Sequence, residues 1–244
     1  MRRRDLLVIG SVAAVAVAIP PILRHWPSDF DFVPINGFPG FRLLQGGAMS
    51  AGPVALIGLD SPQSTPIAEV SDPCLAFFGP SGWTEGQLPI AVFSDYFCSV
   101  CADLERRLHA LEDSGAPVRL IRHELPLLGP RSLHAARVAL ASRQQGAYEA
   151  VSRDLMQRNL SPGAAAVRAL ADRHGLDPDR LTRDAASEEV NDAIAAELAL
   201  GRALGIPGTP ATFVGRTLVI GNIEDARLDA LIELERDTPF DTCA

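Results

Sequence analysis

The pattern of apolar and polar residues along the chain changes near residue 88. Before it, residues 25–87 are rich in Pro, Gly and Ser and show no sustained period, which indicates a linker with loose strands. Two short apolar runs in this stretch, at residues 41–44 and 54–59, are compatible with a hairpin. From Leu88 the run LPIAVFS has the length and the β-branched and aromatic content of a buried strand.

Regular helical spacing follows that strand. Val100, Leu104, Leu108 and Leu111 recur at intervals of four and three residues, which predicts an amphipathic helix. The next apolar segment, PVRLIRHEL, predicts a second strand. A strand, a helix and a strand in this order form the unit that pairs two strands in parallel.

A long helical block is predicted at about residues 132–204. Ser161 and Asp177 each precede a proline at a predicted helix start, and Gly175 and Gly205 stand where helices are expected to end. The runs ATFV and TLVIG then flank a Gly-Arg pair as a hairpin, and residues 224–236 predict a closing amphipathic helix. The predicted order is βαβ, a helical block and ββα, which is an α/β fold.

The first 24 residues have the pattern of a signal peptide or a membrane anchor. Three arginines, Arg2 to Arg4, precede an uncharged run at residues 6–23. Because basic residues stay on the cytoplasmic side, we expect the rest of the chain in the periplasm or at the extracytoplasmic face of the inner membrane. Cleavage after Ala18 and retention as an anchor both fit this run. The sequence RRDLL also resembles a twin-arginine export motif.

Composition excludes several classes of protein. The 244 residues are 47% hydrophobic and 21% charged, which excludes a disordered chain and suffices for a sizeable core. The formal net charge is −8 and no basic stripe follows residue 4, so we expect no nucleic acid partner. Four cysteines are too few for a disulfide-built scaffold, but two of them form a C-x-x-C pair.

Cys98 and Cys101 are the predicted catalytic pair. They lie where the first strand of the βαβ unit meets its helix, so the helix N-terminus is expected to acidify the Cys98 thiol. Cys101, one helical turn later, is expected to be the more buried of the two. In the predicted mechanism Cys98 forms a mixed disulfide with a substrate cysteine, and Cys101 resolves it or leaves.

Two cysteines at this spacing also supply half of the ligands of many zinc sites, but the sequence offers no second pair of ligands. Zinc requires four ligands, or three and a water, and no other C-x-x-C is present. The histidines show no ligand spacing, and we expect them at the surface. They are His25, His109, His123, His134 and His174. The prediction is therefore no metal and no cofactor other than the cysteine pair.

Four segments together resemble the DsbA-like thiol:disulfide oxidoreductases of bacterial cell envelopes, a branch of the thioredoxin fold with a helical insertion. The segments are FSDYFCSVC, HELPLLGPRSLHAARVALAS, GLDPDRL and GIPGTPATFVG. The resemblance implies a thioredoxin-like domain at residues 88–240 with an insertion at about 130–205. It does not extend to residues 25–87, whose role stays open.

The resemblance also implies further site residues. Thr209 and Pro210 are expected to form a cis peptide bond facing the cysteine pair, so that the Thr209 backbone pairs with an extended substrate chain; the alternative is a trans proline that opens a strand.

The chain also departs from the family at two points. The Ser-Val dipeptide between the cysteines lacks the histidine of strongly oxidising members, which predicts a milder reduction potential. Some members keep a buried acid where this chain has Val92. Asp95 is the nearest acid, and is either a proton relay for Cys101 or a solvated or capping residue.

Cys74 and Cys243 lie outside the catalytic pair. In an oxidising compartment, two cysteines left over after the catalytic pair favour a structural disulfide between them, which here would close a loop of about 170 residues. The alternative is that one of these cysteines relays electrons to the pair.

The leading interpretation is a cell-envelope thiol:disulfide oxidoreductase that forms, reduces or reshuffles disulfides in exported proteins. Its partners would be those cysteine-containing proteins and a membrane redox partner that regenerates the pair. The sequence leaves the direction of electron flow open. The second interpretation is a non-catalytic envelope protein, a metal carrier or an interaction module, in which the cysteines form a structural bond.

Overall fold

The computed structural model describes residues 30–51, 70–80, 86–238 and Cys243. The chain divides into two units, Met1–Phe30 and Asp31–Ala244, and every helix and strand below belongs to the second. The predicted export signal, its cleavage site and the 54–59 run lie outside the described residues. Within the described residues, no helix combines the length and the hydropathy that crossing a membrane requires.

Six described strands form one mixed sheet in the order β1-β2-β6-β5-β3-β4. They are β1 (Val33–Pro34), β2 (Arg42–Gln45), β3 (Leu88–Ser94), β4 (Val118–Glu124), β5 (Ala211–Val214) and β6 (Thr217–Ile220). β3 pairs in parallel with β4, as the predicted βαβ unit requires, and antiparallel with β5. β5 and β6 form the predicted hairpin. β3 is buried along its whole length, in keeping with its unbroken apolar sequence.

Eight α-helices are described in this unit. They are α1 (Pro73–Phe78), α2 (Ser99–Asp113), α3 (Pro130–Ser142), α4 (Tyr148–Gln157), α5 (Ala164–His174), α6 (Pro178–Ala185), α7 (Glu188–Ala203) and α8 (Asp225–Arg236). Helices α3 to α7 lie between β4 and β5 in the chain and form the inserted block. Asp177 caps α6 through its carboxylate, and Gly175 ends α5 in the left-handed conformation. The helix start predicted at Ser161 is wrong, because α5 begins at Ala164 with Gly163 as its N-cap residue. The predicted order of βαβ, helical block and ββα is confirmed.

The described part of residues 25–87 belongs to the fold, which differs from the linker interpretation. β2 pairs in parallel with β6, and β1 pairs antiparallel with β2. The apolar run at residues 41–44 is thus in a strand, but its neighbours are β1 and β6. Phe41 and Phe77 pack against Phe213 of β5, and the rings of Phe77 and Phe213 stack with centroids 4.6 Å apart. Burial of these rings explains why the segment joins the sheet.

A disulfide joins Cys74 in α1 to Cys243. The two Cα atoms are 5.4 Å apart, while 169 positions separate the residues in sequence. Both cysteines pack against the hydrophobic core that contains Phe77 and Phe213. The bond therefore fastens α1 to the end of the chain.

Candidate active site

Cys98 is the N-cap residue of the helix α2, directly before Ser99. Its backbone is extended, as in a typical N-cap, and its sulfur accepts a hydrogen bond from the Cys101 N–H at 3.1 Å. The two cysteines form a disulfide with Cα atoms 5.2 Å apart. A sulfur held at the N-terminus of a 15-residue helix faces free N–H groups and the positive end of the helix dipole. This position favours a thiolate when the disulfide is reduced.

Both cysteines are almost completely buried. Cys98 is 1% exposed and Cys101 0% exposed, so the expected difference in burial between them is absent. The Cys98 sulfur lies 3.4 Å from the carbonyl oxygen of Thr209, and both cysteines belong to the apolar core of the helical insertion. An incoming thiol therefore has to displace part of the protein before it reaches the Cys98 sulfur.

Thr209 stands next to the cysteine pair, as the resemblance implies. The Thr209–Pro210 peptide bond is cis, and both residues are buried. The Thr209 N–H and C=O are both engaged with the backbone of Ser50, which lies in the segment after β2. Sequence reasoning missed this contact, because a single bridge between residues so far apart leaves no periodic signal.

Asp95 lies in the turn between β3 and α2 and is 1% exposed, so it is not a solvated residue. One carboxylate oxygen accepts the Phe97 N–H at 2.8 Å, and the other accepts the Leu128 N–H at 2.9 Å. Its carbonyl oxygen accepts the Cys98 N–H at 3.0 Å. These bonds support the capping interpretation, because Asp95 joins the cysteine turn to the loop after β4.

Glu124, at the end of β4, is a buried acid that sequence reasoning missed. Its Oε1 atom accepts hydrogen bonds from the hydroxyls of Tyr96, at 2.6 Å, and Tyr148, at 2.7 Å. Burial raises the pKa of Glu124 to about 8, although both hydrogen bonds act to lower it. Tyr96 belongs to the turn before Cys98 and Tyr148 to α4, so Glu124 links the active-site turn to the insertion. The sequence did contain a sign of this contact, because Tyr96 lies in the segment FSDYFCSVC and Glu124 in the segment HELPLLGPRSLHAARVALAS.

A charged cluster lies on the face of α2 that the sequence predicts to be polar. Glu105 accepts a hydrogen bond from Arg122 Nε at 3.2 Å. The guanidinium groups of Arg122 and Arg153 approach the ring nitrogens of His109 to 2.8 and 2.7 Å. Burial and these two cations lower the pKa of His109 to about 4. The expectation that His109 lies at the surface is wrong, because the helical insertion covers this face.

The same expectation is wrong for His123. Its ring donates a hydrogen bond to the Phe77 carbonyl at 2.9 Å and contacts the Glu197 carboxylate at 2.7 Å. Burial alone would lower its pKa, but the Glu197 carboxylate outweighs this effect and the pKa of His123 is raised. In the part of the chain that the structure describes, no three His, Cys, Asp or Glu side chains group as metal ligands do.

A sheet of this topology, with a cysteine pair at a helix N-terminus and a cis-proline against it, defines a thioredoxin fold of the thiol:disulfide oxidoreductase class. The family profile described as the DSBA-like thioredoxin domain matches residues 89–233, more than half of the chain. The chain belongs to this family. The resemblance, the fold class and the enzyme class inferred from the sequence are thereby confirmed.

Solved structures agree with this assignment. A thioredoxin-like oxidoreductase from Silicibacter pomeroyi is 35% identical, with a TM-score of 0.59, over 68% of this chain and 98% of that one. A periplasmic thioredoxin-like protein from Salmonella enterica serovar Typhimurium is 26% identical over 67% and 95% of the chains, with a TM-score of 0.58. The thiol-disulfide exchange protein alpha-DsbA2 from Wolbachia pipientis shares the fold at 22% identity, over 66% and 90%, with a TM-score of 0.57. A comparison with curated protein sequences finds no match.

Proposed function

We propose that this protein catalyses thiol:disulfide exchange with exported proteins in the cell envelope, with Cys98 as nucleophile and Cys101 as resolving residue. The observation that carries the proposal is the Cys98 sulfur at the N-cap of α2, where it accepts the Cys101 N–H. A backbone donor and the helix dipole stabilise a thiolate there, so Cys98 is a good leaving group in a mixed disulfide.

The exchange proceeds in two displacements. A substrate thiolate attacks the Cys98 sulfur, the bond to Cys101 breaks, and the Cys101 sulfur leaves with the electron pair and takes up a proton. A second substrate thiolate then attacks the substrate sulfur of the mixed disulfide, and Cys98 leaves as a thiolate. Two electrons pass from substrate to protein; of the two substrate protons, one is taken up by Cys101 and the other goes to water while Cys98 stays a thiolate. Starting from the reduced pair, the same steps run in reverse and reduce or reshuffle a substrate disulfide.

The proposed location is the periplasm or the outer face of the inner membrane. Support comes from the basic and apolar pattern of residues 1–24, which we propose as a signal peptide or anchor, and from the second disulfide. Residues 88–240 form the proposed catalytic domain, and β1 and β2, from the described part of residues 25–87, extend its sheet. A membrane redox partner would take electrons from the pair when it oxidises substrates, or supply them when it reduces.

The reduction potential of the pair tests this function. The full chain is equilibrated in glutathione buffers, and the fraction of reduced Cys98 and Cys101 is followed, with Cys98→Ser as the control. We expect a transition well above about −300 mV, the upper limit typical of structural disulfides, and no transition in the control. A pair that neither exchanges with glutathione nor reacts with alkylating agents would leave the non-catalytic interpretation in its place.

A further inference from the structure

The segment that follows β2, residues 46–51, crosses the end of the sheet where the cysteine pair lies; we call it the strap. Gly46 donates its N–H to the Ile220 carbonyl at 2.8 Å, and Gly47 donates to the Asn222 carbonyl at 2.6 Å. The Asn222 N–H in turn donates to the Ala48 carbonyl at 2.8 Å. The strap is therefore held by regular backbone hydrogen bonds along the end of β6.

The strap reaches the active site at Ser50. The Ser50 N–H donates to the Thr209 carbonyl at 2.7 Å, and the Thr209 N–H donates to the Ser50 carbonyl at 2.9 Å. This pair of bonds is an antiparallel bridge. The Thr209 carbonyl oxygen is the same atom that lies 3.4 Å from the Cys98 sulfur. The Ser50 N–H and the Cys98 sulfur thus both contact the carbonyl oxygen of Thr209.

Two glycines make this close approach possible. A Cβ atom at Gly208 would lie 2.6 Å from the Ser50 carbonyl oxygen, and one at Gly221 would lie 2.5 Å from the Gly47 carbonyl oxygen. Both contacts involve backbone atoms, which cannot rotate away as a side chain does. The strap and the body of the domain are therefore fitted to each other at both ends of the strap.

We propose that the strap occupies the position of an extended substrate chain and competes with it. The inference rests on the proposed function. An extended peptide that adds to an exposed backbone edge uses its N–H and C=O groups, and at Thr209 both groups are already bonded to Ser50. A peptide substrate has to displace the strap to bind there, whereas a small thiol makes no such bridge. The strap therefore determines how well the pair discriminates peptides from small thiols.

The burial of Cys98 is a barrier separate from the strap. Cys98 is 1% exposed because it belongs to the apolar core of the insertion, and a peptide and a small thiol both have to displace these side chains. The strap bonds the Thr209 backbone, so its displacement affects a peptide that pairs there and not a small thiol.

Ser50→Pro tests the proposal, because proline removes the N–H that donates to Thr209. We expect the oxidised full-length variant to react with a reduced two-cysteine peptide about fivefold faster than the unmodified protein, as loss of one net backbone hydrogen bond allows. The rate with dithiothreitol should stay within twofold. Ser50→Ala is the matched control, since it keeps both backbone bonds, and its rates should equal those of the unmodified protein.

Gly47→Pro gives a second test away from the site, since it removes the N–H that donates to Asn222. Gly47→Ala is its control, because a Cβ there lies 3.4 Å from the nearest atom, an ordinary contact. Peptide rates that rise in both proline variants and in neither alanine variant support competition. Peptide rates that are unchanged or lower in the proline variants, with normal dithiothreitol rates, overturn it. A lack of reaction with both reductants in every protein overturns the proposed function instead.

Amide hydrogen exchange keeps the proposal testable if a proline variant does not fold. In Cys101→Ser, the Cys98 thiolate attacks the peptide sulfur of a single-cysteine peptide activated as its mixed disulfide with thionitrobenzoate; thionitrobenzoate leaves, and the peptide is trapped on Cys98. We expect the Ser50 amide to exchange at least tenfold faster in this adduct than in the free variant, while the Thr209 amide stays protected by the peptide. Equal protection of Ser50 in the adduct and in the free variant would show that the strap is not displaced, and would refute the proposal.

Discussion

Replacement of Glu124 by glutamine should make the protein more stable at neutral pH, and the gain should grow as the pH rises. Burial raises the pKa of Glu124 to about 8 from its ordinary value of 4.5. Between these two values the unfolded chain has lost the proton while the folded protein keeps it. The unfolded state therefore binds fewer protons, and the free energy of unfolding falls with increasing pH. Glutamine is neutral at every pH and does not contribute this loss.

The size of the effect follows from the two pKa values. Each pH unit inside this window costs about 1.4 kcal/mol, with a smaller slope near either end. Between pH 5 and pH 7 the unfolding free energy of Glu124→Gln relative to the unmodified protein should increase by about 2.5 kcal/mol. The side-chain carbonyl of glutamine can still accept the hydroxyls of Tyr96 and Tyr148, so the packing is retained.

Urea unfolding at about pH 5, 6 and 7 measures this difference, with both disulfides oxidised throughout. Glu233→Gln is the control, because Glu233 is exposed on α8 and its replacement also removes one carboxyl group. Comparison at each pH cancels the titration of all other groups. A difference between Glu124→Gln and the unmodified protein that is constant from pH 5 to pH 7 would refute the argument that Glu124 is protonated in the folded state.

Two further predictions concern the cysteines and their turn. Cys243→Ser opens a loop of 169 positions and should lower the unfolding free energy by up to about 5 kcal/mol, measured in urea, while disulfide exchange at the active pair continues. Loss of exchange in the folded variant would favour an electron relay instead. Asp95→Asn should cost about 1–3 kcal/mol, because one of its two backbone N–H partners then faces an amide NH₂. An altered Cys101 pKa in that variant would favour the proton relay.

The strands and helices with a regular apolar pattern could be predicted from the sequence. β3 is apolar throughout, α2 has regular leucine spacing, and Asp177 has the residues of a helix cap around it, so each element is predictable from local pattern. The position of Cys98 at the helix N-terminus follows from the same junction. β1 and β2 have only two and four residues, too few for a period, and their place in the sheet depends on distant aromatic rings.

The burial of polar groups was not predictable in the same way. An amphipathic helix normally turns its charged face to water, but here the insertion covers that face of α2 and the charges pair with one another around Arg122. His109 is therefore buried although it lies on the same face of α2 as Glu105 and Glu112. Glu124 likewise ends a strand whose pattern gives no sign that two tyrosine hydroxyls arrive from other elements. Both cases depend on tertiary contacts that a single element does not encode.

The disulfide between Cys74 and Cys243 has a consequence for the proposed competition at Thr209. The strap follows β2 directly in the chain, and α1, which comes later in the chain, is fastened by that disulfide. A displaced strap cannot diffuse away, and its effective concentration at Thr209 is that of a tethered ligand, on the order of millimolar. Inhibition by such a ligand does not weaken when the protein is diluted. Only peptides that are abundant, or that gain binding energy beyond the Thr209 bridge, then hold the site long enough to exchange their disulfides.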